Sequence, residues 1–124
     1  MVDYTEIPGL EHFVLEESYV LAITETPGSV QIELDLLLAK DHTELLPARA
    51  GEWAYFRTGV ITFGGVTEFS WENRTAPAED SDGTFSWSGI DSFTEDGDVY
   101  LLGGDPGDIR IVAEAVRVEF TGPA

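Results

Sequence analysis

The sequence predicts an all-β protein, an antiparallel β-sandwich or partly open barrel of about eight strands with at most one short helix near the N-terminus. Three observations carry this. Val30, Ile32, Leu34, Leu36 and Leu38 alternate with Gln31, Glu33 and Asp35, and strand side chains point to opposite faces at a period of two. Roughly eight such runs follow one another, separated by Gly, Pro and Asp clusters at sandwich-like spacings. No sustained helical periodicity, internal repeat or low-complexity tract interrupts them. A chain of 124 residues fits one domain, 1–124, and can bury a core without covalent staples.

Taken in order, residues 1–9 read as a lead-in closed by Pro8-Gly9. Leu10, Phe13 and Val14 sit at i, i+3, i+4, and Glu16-Glu17-Ser18 breaks any strand alternation, so a short helix or irregular arm is expected there. Residues 18–40 form the organising β-hairpin. Tyr19, Leu21 and Ile23 alternate before Pro27-Gly28, which supplies the turn. Residues 41–52 make a long connection, of the kind in which functional loops are over-represented. Strand character resumes at 53–63, with Trp53 and Tyr55 on one side of the pleat and Ala54 and Phe56 on the other. Gly59 inside that run suggests a bulge or bend. Gly64-Gly65 reads as a tight hairpin turn into 66–73, where Thr67, Phe69 and Trp71 oppose Glu68, Ser70 and Glu72. Residues 75–83 read as an exposed loop, and Phe85 and Trp87 return at strand spacing. Residues 89–93 fit either a strand or a helical turn, and runs at 99–102, 109–112 and 116–120 complete the set.

Charge is the most unusual global property: six Lys+Arg against 24 Asp+Glu, a net charge of −18. The scattered basic residues make no patch, so nucleic acid and anionic lipid should be repelled. The acidity fits a solubilising, salt-adapted surface or a basic protein partner steered onto an acidic face. No cysteine is present, which removes disulfides, thiol nucleophiles and Cys-based zinc sites. The N-terminal residues have neither a basic n-region nor an apolar h-region, and the run 36–39 is too short to span a bilayer, so a soluble, cytoplasmic protein is expected.

Four groups of residues are candidates for function. The pairs Trp53/Tyr55, Phe69/Trp71 and Phe85/Trp87 lie two apart and would form either a stacking platform for a sugar or the filling between two sheets; the second is favoured because a sandwich needs that volume. Between Arg74 and Arg110 nine acids and no basic residue occur, and loop carboxylates such as Asp80, Asp82, Asp96 and Asp98 could hold calcium. Aligning Gly83 on the invariant glycine of an EF-hand loop, however, puts Ala78 at the first ligand and Gly89 at the twelfth. His42, beside Asp41 and near Glu44, could act as a general base in a small hydrolase or isomerase, although no nucleophile elbow, phosphate loop or metal-binding histidine spacing accompanies it. Arg57, on the same pleat face as Tyr55, either joins a cross-strand ion pair or receives a carboxylate. Asn73-Arg74-Thr75 matches a glycosylation acceptor and carries no weight without a secretion signal.

Leu15-Glu16-Glu17-Ser18-Tyr19-Val20-Leu21, Gly51-Glu52, Tyr55-Phe56-Arg57-Thr58-Gly59, Trp71, Ile90-Asp91-Ser92-Phe93 and Tyr100-Leu101-Leu102-Gly103-Gly104-Asp105 together resemble a group of small, uncharacterised bacterial all-β proteins. The resemblance spans most of the chain and implies a single domain, with no activity, cofactor or catalytic residue attached to it. With no catalytic constellation and no nucleic-acid footprint, the expectation is a non-enzymatic binding protein for a protein partner, monomeric or a homodimer through an edge strand. A small-ligand module for carbohydrate or calcium is the alternative.

Overall fold

The computed structural model describes residues 1–124. It contains two antiparallel sheets and a separate small hairpin, built from β1 (Val2–Asp3), β2 (Tyr19–Thr26), β3 (Ser29–Leu37), β4 (Phe56–Gly64), β5 (Glu68–Glu72), β6 (Ala78–Glu79), β7 (Phe85–Ser86), β8 (Ile90–Asp96), β9 (Val99–Gly104), β10 (Gly107–Val112) and β11 (Ala115–Phe120). The first sheet runs β1-β8-β9-β10-β5, the second runs β11-β4-β3-β2, and β6-β7 is a small separate hairpin. Three of the eleven strands have only two residues each, which leaves eight longer ones. The two sheets enclose one core of 22 buried residues and do not close into a barrel.

The predicted hairpin is β2–β3, joined at Pro27-Gly28. Val30, Ile32, Leu34, Leu36 and Leu38 are all buried, with Gln31 and Glu33 exposed between them. The first strand departs from simple alternation. A register shift between Val20 and Ala22 leaves Leu21 unpaired, so Val20 is buried while Tyr19 faces solvent, and Ile23 regains the inner face beyond the bulge. Apolar residues stand on both sides of that shift, so the period-two expectation holds at Ile23 and fails at Tyr19 and Leu21.

Three further expectations are corrected. Residues 53–55 are loop, because β4 begins only at Phe56; Trp53 is exposed and Tyr55 is buried, so they do not share a pleat face. Gly59 makes no bulge, since the β3–β4 and β4–β11 registers run through it unbroken. Its lack of a side chain allows close packing instead: a Cβ there would stand 2.6 Å from Leu36 Cδ1 and 2.7 Å from Glu119 O. Gly64-Gly65 is not a hairpin turn. β4 pairs with β3 and β11, whereas β5 pairs with β10, so the two glycines carry the chain from one sheet to the other.

The N-terminal arm holds two single 3₁₀ turns, Tyr4–Glu6 and Leu15–Glu17, in place of one helix. Tyr4 ties them together: its buried hydroxyl donates its one proton to the Glu16 carboxylate, lies 3.3 Å from Phe13 O, and accepts from Leu15 N at 3.2 Å. Burial, then the bond to Glu16, pushes its phenol well above the ordinary tyrosine range. No helix is long and apolar enough to cross a membrane.

Candidate functional site

The chief concavity lies on the outer face of the second sheet. Cross-strand register places Tyr19, Asp35 and Thr58 in one row, from β2 through β3 to β4, on the side opposite buried Val20, Leu34 and Leu36. The loop 38–55 and the β6–β7 hairpin contribute further walls, and together they bound a trough of about 570 Å³. That volume lies within the usual range for small-molecule sites, about 300–1,000 Å³.

Three aromatic rings form one flank. Phe56 stands 5.8 Å from Tyr19 and 5.5 Å from Trp53, the latter edge-on at 77°. Trp53 is 63% exposed, far more than a ring that fills a core. Asp35 lies on the floor and accepts a 3.0 Å hydrogen bond from Thr58 Oγ1. Glu52, from the loop, and Asp80, from the hairpin, also line it. The chain's ion pairs are His12 with Glu11 and Asp41, Arg57–Glu44, Arg110–Glu68 and Arg117–Glu119, so all three trough carboxylates lack a cation.

Two arginines also reach the trough, and both are engaged elsewhere. Arg49 donates to Phe56 O and, at 3.1 Å, to Pro123 O, and its guanidinium lies 4.8 Å from the Tyr55 ring centre. Arg57 points to the inner side of β4. It pairs with Glu44 at 2.9 Å, donates to Gly122 O and stacks 3.8 Å over Phe120, while its buried Nε has no partner. These contacts pin the loop and the C-terminal residues to the end of the sandwich.

The sequence-derived candidates are therefore divided. Trp53, Arg57 and Asp80 line the trough; Tyr55 is buried with its hydroxyl unpaired. Trp71 and Trp87 lie elsewhere, 5.8 Å apart and edge-to-face, with their indole N–H groups donated to Pro106 O and Thr75 O. Their rings pack with the core and form no platform with Trp53. Phe85 is exposed while Trp87 is buried, so that pair does not share a face. The residues missed by sequence reasoning are Tyr19, Asp35 and Phe56, and only the strand register brings them together.

The carboxylate candidates are also separated. Asp80 and Asp82 serve the tight turn of the β6–β7 hairpin, where Thr84 Oγ1 donates to Asp82 at 2.7 Å and lies 3.3 Å from Asp80, and Thr84 N donates to Asp82. The Thr84 hydroxyl and amide bonds hold the Asp82 carboxyl below its ordinary pKa. Asp96 and Asp98 flank the β8–β9 turn. No group of three or more His, Asp or Glu side chains is gathered in a metal-binding arrangement.

His42 packs among Phe13, Phe120 and His12, at ring distances of 5.1, 5.7 and 6.1 Å. Its Nδ1 accepts from Glu44 N at 3.0 Å. Asp41 turns to His12, at 3.1 Å, and Glu44 turns to Arg57. No carboxylate orients the His42 ring, so the base–orienter pair of general-base catalysis is not assembled. Desolvation lowers the His42 pKa, against the opposing pull of Glu44. Comparison of the chain with protein-family models, curated proteins and solved structures finds no match.

Proposed function

We propose that this chain is a non-enzymatic, cytoplasmic binding protein that docks a basic protein partner through the trough face. The observation that carries this reading is the conjunction of three unpaired carboxylates with three clustered aromatic rings in one concavity of a chain whose net charge is −18. Interfaces draw binding energy from buried aromatic anchors, and a complementary field raises the encounter rate. The same field works against nucleic acid and anionic lipid as partners. β11 presents a free edge, on which the homodimer alternative depends.

The test is a photo-crosslinking residue placed at Tyr19 and, separately, at Glu68 on the other sheet. A basic protein captured from the Tyr19 position, and lost in molar KCl or with Asp35→Asn, supports the reading. Equal capture from both positions, insensitive to salt, refutes it. The exposure of Trp53 beside the hydroxyl of Thr58 favours carbohydrate as a second reading, which neutral saccharides shifting the Trp53 indole signal would support.

A further inference from the structure

The trough sets carboxylates that lack a cation among clustered aromatic rings. Its floor is Asp35, whose carboxylate receives a hydrogen bond from Thr58 and no counter-charge. Tyr19 and Trp53 flank the Phe56 ring, which lies within 6 Å of both. Faces of aromatic rings carry negative potential and attract cations, most of all when a carboxylate lies within reach. A planar guanidinium suits such a site better than a compact ammonium, because it stacks on a ring while its fork donates to an acid.

The two native arginines at the trough are not substitutes for that group. Arg49 is held by two backbone carbonyls, and Arg57 by Glu44, a backbone carbonyl and Phe120. With both engaged, Asp35, Glu52 and Asp80 remain as the trough's available charges.

We infer that the trough is a guanidinium-recognition site, in which an arginine side chain of the partner stacks against Trp53 and donates to Asp35. The inference rests on the docking reading above and adds the chemistry of the anchor residue. Glu52 and Asp80, which also line the trough, supply the field that draws the cation in.

The probe is N-acetyl-arginine methylamide, compared with its citrulline counterpart, a neutral side chain of the same shape. The readout is the indole N–H resonance of Trp53, identified by its loss in Trp53→Phe. The expected result is a saturable shift with the arginine probe and at least tenfold weaker binding of the citrulline probe. Asp35→Asn, which keeps an acceptor for Thr58, should weaken the arginine probe about tenfold, while Glu68→Gln on the other sheet leaves it unchanged. Equal responses to the two probes, no saturable response, or an unchanged response in Asp35→Asn would overturn the inference. If the arginine probe fails while salt-sensitive crosslinking from Tyr19 persists, the docking face stands and the guanidinium site falls. If both fail, both readings fall.

Discussion

Gly89 offers the sharpest test of how the N-terminal arm is seated. A Cβ at this buried position would stand 2.2 Å from Glu16 O and 2.5 Å from both Glu16 C and Leu15 O. All three atoms belong to the backbone of the Leu15–Glu17 turn, so no side chain can swing away to make room. Overpacking generally costs about 1–3 kcal/mol, and the need to displace backbone puts Gly89→Ala at the top of that range, about 3 kcal/mol. Unfolding entropy of about 2.1 cal/mol/K per residue gives roughly 0.26 kcal/mol/K for 124 residues, so the midpoint should fall by about 11 °C. Two glycines serve as controls in the same calorimetric series. Gly97 has open space around it but a φ of +62°, so Gly97→Ala should cost about 1–2 kcal/mol, or roughly 4–8 °C. Gly64 has neither crowding nor a left-handed φ, and Gly64→Ala should lie within about 1 kcal/mol of the parent. If Gly89→Ala melts alongside Gly64→Ala, the arm does not sit on that backbone and the reasoning fails.

Three other predictions concern the loop end of the sandwich and its charge. Glu44→Gln should shift stability by less than about 1 kcal/mol, because Glu44 is largely exposed, whereas Arg57→Ala should cost more through its lost stacking on Phe120; denaturant melts giving equal losses would contradict this. For His42 the folded pKa lies below the unfolded value, so its contribution is present above about pH 6.5 and is lost as the unfolded chain takes up protons below it. Melting points between pH 7.5 and 5.5 should therefore fall further in the parent than in His42→Phe, and parallel curves would count against the burial of that ring. Calcium at matched ionic strength should raise the midpoint no more than magnesium does, since the loop carboxylates are dispersed; a calcium-specific rise would reveal a site that this geometry lacks.

The legibility of the fold followed the locality of its causes. β3 could be read residue by residue because its inner and outer faces differ in polarity at every step from Val30 to Asp35. The Leu21 bulge could not, because Tyr19, Val20, Leu21 and Ala22 differ too little in polarity to show which pair faces inward. Gly64-Gly65 has a tight-turn composition, yet partner choice is made by β3, β10 and β11, which lie far away in sequence. Residues 53–55 carry strand-like aromatics, and only tertiary contacts separate them: Tyr55 is buried against Arg49 while exposed Trp53 packs edge-on against Phe56. The trough was half legible. Trp53 and Arg57 drew notice by residue type, whereas Asp35 read as one more solvated acid until the register set it beside Tyr19 and Thr58.

The crossing at Gly64-Gly65 bears on how the chain is made. The first sheet takes β1 from the start of the chain, β5 from its middle and β8–β10 from its last third; the second takes β2–β4, from residues 19–64, and β11 from the end. Any break between β2 and β10 therefore divides both sheets. During synthesis β2, β3 and β4 can pair locally while their inner face, from Val30 to Phe63, waits uncovered for strands not yet made. Over that interval residues 1–64 carry eleven acids against three basic residues. Like net charge on such partial chains opposes contact between their open inner faces.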